Sequence, residues 1–173
     1  MFMKTGLVAG AIALLVPWAA DAQSAAPSAT PYIQTHRDIT ARLGLAIAEA
    51  AIAECARTGA SVSVAVVDHA GRVRVFIASD DPAPHNFDLA RRKAYTARTF
   101  RRPSLEWAQR TKDGSELAPQ RQLAEVIALG GGVPINVGTD TIGAVGVSGS
   151  SQTGDDACAR AGVASVADQL NAN

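Results

Sequence analysis

The chain has 173 residues, of which 16 are basic and 16 acidic, so its formal net charge at pH 7 is zero. This balance argues against a general nucleic-acid or anionic-membrane binder, because affinity for phosphate comes from accumulated positive charge. Once an N-terminal leader is set aside, about 150 residues remain, enough for one domain with a full hydrophobic core and too few to suggest a second.

The first 22 residues have the features of a signal peptide. Lys4 precedes an apolar run, and Ala20-Asp21-Ala22 supplies the small-x-small pattern of a cleavage site. The run is too short for a convincing membrane span. We expect cleavage after Ala22, export to the periplasm or the outside, and no stable membrane insertion; an uncleaved anchor is the alternative. Residues 23–34 are predicted to be a flexible lead-in, and residues 35–173 a single domain.

The domain is predicted to begin with a helix and a β-hairpin. Apolar residues recur at helical spacing between Thr35, a candidate cap, and Gly59, a candidate stop. Alternating apolar residues then predict strands over 62–67 and 73–78. The intervening Asp68-His69-Ala70-Gly71 is typical of a hairpin turn.

The second half is predicted to contain helices, then strands, then a final helix. A helix over 86–100 is capped by Asn86, and a short helix over 104–107 follows. After a polar loop, three short strands separated by glycine turns are expected at Glu125–Leu129, Val133–Val137 and Ile142–Val147. A C-terminal helix has acidic residues in its first turn, as the helix dipole favours. This order predicts an α+β domain: a five-stranded antiparallel sheet flanked by helices, of the profilin or PAS general type.

The glycine-rich stretch Leu129–Ser150 does not match the common catalytic motifs. It lacks the lysine and hydroxyl of a phosphate-binding P-loop, and its glycines do not lie in a βαβ turn. No histidine follows Ser148, so a hydrolase nucleophile is disfavoured. Glycine within a strand clears space for a close backbone or a flat ligand. Both explanations, a ligand-binding floor and tight packing, fit the sequence.

The two cysteines, Cys55 and Cys158, have no neighbouring metal ligands at zinc-site spacing. In an oxidising compartment they could form one disulfide, and two buried free thiols are the alternative. Among the three histidines, His85 stands in a loop before the second helix, followed by six basic residues that could pair with ligand carboxylates. His36 borders the lead-in, and His69 is placed on a turn where an exposed polar residue needs no function.

Six stretches together resemble the GlcG/HbpS-like haem-binding family, which includes the C-terminal domain of PduO-type proteins. They are VSVAVVDHAGRVRVF, ARRKAYTA, RPSLEWA, GGGVPI, IGAVGVSG and DDACARAG. They occur in the family's order over roughly residues 39–170. The resemblance implies an α/β/α sandwich, a homo-oligomer that is often an octamer, and haem or a related tetrapyrrole as the ligand.

The resemblance also suggests site residues. Lys93 stands at the family's lysine, and Ser104 follows Pro103 at a hydroxyl position tied to haem binding in some members. The family's glycine signatures are matched by Gly130, Gly131, Gly132, Pro134, Gly146, Ser148 and Gly149. His85 and Asn86 depart from the family, which more often has small or hydroxyl residues there. This departure implies either a different ligand or a stronger ligand to iron.

Three hypotheses follow. The leading one is an exported haem- or tetrapyrrole-binding protein for haem or redox sensing or handling, with His85 as the axial iron ligand and Arg92 and Lys93 near the acidic groups. The second is an enzyme or binding protein for a small carboxylate such as a hydroxy acid, with Lys93 and His85 binding it and transferring a proton. The third is a structural oligomer without a ligand.

Overall fold

The computed structural model describes residues 34–172, so the expected signal peptide and nearly all of the lead-in lie outside the described residues. Four strands form one antiparallel sheet in the order β2-β1-β4-β3. Their bounds are β1 (Ser63–Val67), β2 (Val73–Ala78), β3 (Gly132–Val137) and β4 (Asp140–Ser148). The predicted hairpin turn between β1 and β2 is confirmed, because the Asp68 carboxylate accepts hydrogen bonds from the backbone N–H groups of Ala70 and Arg72.

One face of the sheet is covered by α2 (Asn86–Phe100), which contacts β1, β3 and β4. Small residues make this contact close: Ala65, Gly146 and Gly132 are register partners across the three strands. A Cβ atom at Gly146 would collide with the carbonyl oxygen of Ala90, and one at Gly132 with that of Lys93. The absence of side chains therefore lets the backbone of α2 lie directly on the sheet.

The other face carries the main hydrophobic core, beneath α1 (Ala41–Ala56) and α4 (Gln152–Ala164). Alternate valines of the strands point into it, among them Val64, Val66, Val145 and Val147. Cys55 of α1 and Cys158 of α4 form a disulfide with Cα atoms 5.5 Å apart, so the disulfide alternative is confirmed. The predicted antiparallel sheet with flanking helices is confirmed as well.

The predicted fifth strand, Glu125–Leu129, is wrong. This segment is not paired in the sheet and instead bonds to α2: the N–H of Ile127 donates to the Thr96 hydroxyl, and Arg92 donates to the carbonyl of Val126. Glu125 has a left-handed φ of 70°, which extended strand backbone does not adopt. Side chains of α2 therefore satisfy the backbone groups that a neighbouring strand would otherwise have paired.

The helix ends also differ from the predictions. Thr40 rather than Thr35 caps α1, by accepting a hydrogen bond from the N–H of Leu43. His85 occupies the position before α2, and the Asn86 side chain faces Ser148 instead of capping the helix. The third helix, α3, runs Ser104–Arg110, and a 3₁₀ helix at Ala118–Gln122 lies in the predicted loop. The C-terminal helix is divided into α4 and α5 (Ala167–Asn171). Among residues 34–172, no helix is long and apolar enough to cross a membrane.

Candidate functional site

The start of α2 and the end of β4 meet at a small cavity of about 280 Å³, which we call the His85 cavity. His85 is exposed at its rim, and its side chain makes no capping hydrogen bond to α2. Four of the predicted site residues line this cavity, although they are separated by up to 64 positions in the chain: His85, Lys93, Ser148 and Gly149. The fold therefore brings together part of the predicted site.

Lys93 forms a buried ion pair at this cavity. Its ammonium donates to the Asp155 carboxylate at 2.7 Å and to the carbonyl of Val147 at 3.0 Å. Burial lowers the pKa of Lys93, while the hydrogen bond and charge of Asp155 act in the opposite direction. An ammonium has three donors, and these two bonds use two of them. One N–H of Lys93 is thus left over for a ligand in the cavity.

Other polar groups complete the lining, and sequence reasoning missed them. Asn86 is buried, and its side-chain oxygen accepts a hydrogen bond from the Ser148 hydroxyl. Asp155 also accepts from the backbone N–H of Ser150, which fixes the carboxylate. The signal in the sequence was the acidic first turn of the last helix, which was attributed to the helix dipole alone. A small cavity with a cation, a hydroxyl and an amide suits a small polar ligand.

Ser104 lies elsewhere and is fully buried. Its hydroxyl donates to the carbonyl of Leu129 and accepts from the N–H of Gly132, so it fastens the start of α3 to the start of β3. Pro134 is in β3, an edge strand, where a missing N–H is tolerated. Neither residue lines the His85 cavity.

The glycine signatures serve mainly in packing. Besides Gly132 and Gly146, a Cβ at Gly131 would lie 2.5 Å from the carbonyl oxygen of Val147, and one at Gly130 would lie 2.8 Å from that of Gln152. Gly149 is the member of the set that lines the cavity. Of the two explanations for this stretch, close packing is the one supported by these distances.

The basic residues of α2 divide into paired and unpaired groups. Arg91 is held by Asp88 and Glu125, whose hydrogen bonds raise its pKa. Arg92 is about one-third exposed and donates to the carbonyl of Val126. Arg98 and Arg101, at the far end of the helix, form no ion pair within residues 34–172.

Two further cavities lie near the start of β4, at the end of the domain opposite Ser148, which is the last residue of that strand. One, of about 600 Å³, is polar and includes His36, His69, Arg98 and Arg101. The other, of about 650 Å³, is mostly apolar and lies among Leu43, Val137, Ile142 and Leu170. Within the described residues, no group of three or more His, Cys, Asp or Glu side chains could hold a metal ion.

A family model described as "Haem degrading protein HbpS-like" matches residues 39–164. Protein GlcG of Escherichia coli (strain K12) is 33% identical over 110 residues, which cover 64% of this chain and 81% of GlcG. An uncharacterized 15.0 kDa protein of Citrobacter freundii is 30% identical over 115 residues, covering 65% of this chain and 81% of its own.

Solved structures are similar over most of the chain. A double mutant of Streptomyces reticuli HbpS superposes with a TM-score of 0.72 at 32% identity, covering 82% of this chain and 97% of HbpS. A PduOC–haem complex gives a TM-score of 0.69 at 24% identity, covering 75% of this chain and 95% of PduOC, and at that identity the likeness concerns the fold alone.

Proposed function

This chain belongs to the HbpS-like family, and on that basis we propose that it binds haem, with His85 as the residue that would hold the iron. The observation that carries the assignment to His85 is its place in the fold. The imidazole is exposed beside a cavity and is not engaged in capping α2. A neutral imidazole is a common ligand of haem iron. Bound haem would supply an iron centre for redox chemistry or ligand sensing.

The dimensions of the His85 cavity limit how a macrocycle would be held. At about 280 Å³ the cavity lies below the roughly 300–1,000 Å³ of sites that enclose a ligand. The cavity is therefore too small to enclose haem, and the residues exposed beside it, above all His85, would hold the group. Phe87, two positions further along, is 51% exposed, but its ring packs edge-on against Phe76 of β2 and does not line the cavity.

Arg92 and Lys93 have different parts in this proposal. Arg92 keeps about a third of its side chain exposed; it donates to the carbonyl of Val126 and lies 3.8 Å from the Asp88 carboxylate, and its remaining N–H donors are suited to a propionate. Lys93 is 3% exposed and paired with Asp155, so it shapes the cavity and does not reach a propionate at the surface. Ser104 and the glycines support the backbone beneath.

We further propose that the protein is exported, handles or senses haem outside the cytoplasm, and assembles into a homo-oligomer. Support for export comes from the signal-peptide features of residues 1–22 and from the Cys55–Cys158 disulfide, which oxidising compartments favour. The exposed Phe87 offers an apolar surface on which a second copy would pack. The family resemblance supports an assembly larger than a dimer.

Haem titration of the mature protein tests the proposal. We expect a saturable Soret band whose position and affinity change in His85→Ala, with affinity falling on the order of tenfold. His69→Ala is the matched control, since His69 lies at another cavity, and it should behave as wild type. An unchanged Soret band in His85→Ala would show that another residue binds the iron. The absence of any saturable band would refute haem binding itself.

A second function is favoured by the size and polarity of the same cavity: binding of a small carboxylate such as a hydroxy acid. The spare N–H of Lys93, the Ser148 hydroxyl and the His85 imidazole would contact the ligand. Thermal unfolding of haem-free protein with glycolate tests it. Glycolate should raise the unfolding temperature of wild type, and Ser148→Ala should reduce the rise. Equal unfolding temperatures with and without glycolate would rule this function out.

A further inference from the structure

A second site is suggested by the polar cavity of about 600 Å³ at the C-terminal end of α2, which we call the His36–His69 cavity. Residues from four segments meet there: the chain before α1, the β1–β2 turn, the end of α2 and the β3–β4 turn. The imidazole rings of His36 and His69 are stacked with centroids 4.4 Å apart. Sequence analysis had assigned no function to either histidine.

The cavity contains cationic groups that lack acidic partners. Neither Arg98 nor Arg101 forms an ion pair with any carboxylate of residues 34–172. The Nε atom of Arg98 is buried without a hydrogen-bond acceptor, which is an unfavourable state for a guanidinium donor. Arg98 is also one of the residues that line the cavity, so its guanidinium lies where a ligand anion would bind.

Two of the nearby carboxylates, Asp38 and Asp68, already have hydrogen-bond and ion-pair partners, whereas a third, Asp140, lines the cavity itself. Asp38 accepts hydrogen bonds from the backbone N–H groups of Ile39 and His69 and pairs with Arg74. Asp68 pairs with both Arg72 and Arg74. These contacts hold the β1–β2 turn in place, so Asp38 and Asp68 form no ion pair with Arg98 or Arg101 and act on the charge of Arg98 only from a longer distance.

We propose that the His36–His69 cavity binds an oxyanion, either a carboxylate or a phosphate group. A guanidinium presents paired N–H donors that match the geometry of a carboxylate and of a phosphate group. Arg98 and Arg101 provide two guanidinium groups at this cavity. The imidazoles of His36 and His69 and the Thr139 hydroxyl add donors at the same cavity. Thr141 is less suited to donate because its hydroxyl already donates to the Asn136 side chain. This proposal does not depend on haem binding.

The site should bind its anion more tightly as the pH falls. Partial burial lowers the pKa of His69, and the charges of Arg98 and His36 lower it further, whereas Asp38 raises it. A bound anion would favour the protonated imidazole and so couple binding to proton uptake. The charged and titratable groups that face His69 across the cavity are His36, Arg37, Asp38, Arg98, Arg101 and Asp140.

Isothermal titration of the haem-free mature protein with inorganic phosphate and, separately, with succinate tests the proposal at constant ionic strength. Arg101→Gly is the informative variant, because Arg101 has a left-handed φ of 53°, a conformation that glycine adopts without strain. We expect at least a tenfold loss of affinity in Arg101→Gly. Lys112→Gln removes one positive charge away from the cavity and should leave affinity unchanged. Asp140→Asn should tighten binding, since Asp140 lines the cavity.

The two probes separate the possible sources of the anion. If only phosphate binds, the natural ligand carries a phosphate group. If only succinate binds, the natural ligand carries a carboxylate. If both bind, the cavity is a general oxyanion site. Failure of both probes to bind would overturn the proposal, as would equal affinity in wild type and Arg101→Gly. Neither result affects the haem titration, because that experiment monitors His85. Failure of the oxyanion proposal can therefore be distinguished from failure of the haem proposal.

Discussion

Replacing Asp155 with asparagine should reveal how strongly the fold depends on the Lys93–Asp155 ion pair. The two side chains are 3% and 2% exposed, and their charged atoms are 2.7 Å apart. At that separation the attraction is about 6 kcal/mol for an effective dielectric constant of about 20. Asp155→Asn preserves shape and the acceptor for Ser150 but leaves the ammonium of Lys93 buried without an opposite charge.

We expect Asp155→Asn to lower the free energy of unfolding by about 3–5 kcal/mol, the usual result of removing one partner from a buried pair. Because a small domain has about 5–15 kcal/mol in total, this loss is easily measured by urea unfolding followed by circular dichroism. Lys93→Met combined with Asp155→Asn should recover most of it, since no buried charge then remains. Glu106→Gln, at an exposed ion pair with Arg102, is the control and should change stability by about 1 kcal/mol or less.

The pH dependence gives a second measurement of the same effect. Burial already lowers the pKa of Lys93 in the folded protein, and losing Asp155 should lower it further. Between the folded pKa and the unfolded value, the unfolded chain holds the proton and the folded chain does not, so stability rises with pH. The difference in free energy of unfolding between wild type and Asp155→Asn should therefore decrease as the pH rises from neutral to alkaline. A deficit under about 1 kcal/mol at pH 7, or a double variant less stable than Asp155→Asn, would refute this reasoning.

Four other predictions follow from the fold and the sequence. Replacing Cys55 and Cys158 with alanine should lower the free energy of urea unfolding by about 4–5 kcal/mol, because their disulfide spans 103 positions; an unchanged urea midpoint would contradict this. Gly146→Ala should destabilise by about 1–3 kcal/mol in thermal unfolding, since its Cβ would collide with α2, and an unaltered melting temperature would show that α2 moves freely. Intact-mass analysis of exported protein should find Gln23 as the first residue, and retention of Met1 would disprove cleavage. Light scattering should return a mass larger than a dimer, and a monomer at micromolar concentration would exclude a shared site.

The helices and the hairpin were predictable because their signals are local. Ala90, Ala94 and Ala97 recur at helical spacing and are buried in α2, whose observed bounds match the predicted range of 86–100, and Asp68 with Gly71 identified the turn between β1 and β2. In both cases, residues close in the chain determine the structure. The helix starts were less well predicted: Thr35 was the candidate cap of α1, but Thr40 caps it, and Asp38 between them bonds to the backbone of His69, 31 positions away.

The candidate sites were only partly predictable for the same reason. His85 was found because a loop histidine before a helix is visible in the sequence. The partner of Lys93 lies 62 positions further along the chain, and nothing local in the sequence links Lys93 to Asp155. Stacking of His36 on His69 likewise requires the chain before α1 to lie beside the β1–β2 turn. Such pairs arise from packing between elements.

The sequence by itself determined the balanced charge, which is a sum over its residues. It also determined which segments form helices and which form most of the strands, because hydrophobic periodicity and turn residues act within a few positions. Only the tertiary structure decided that Glu125–Leu129 would bond to α2 and not join the sheet, since extended backbone becomes a strand only where another strand offers its N–H and C=O groups. It also decided what the glycines do. Gly132 and Gly146 fit a ligand floor or close packing equally well in the sequence, and the position of α2 against them supports close packing.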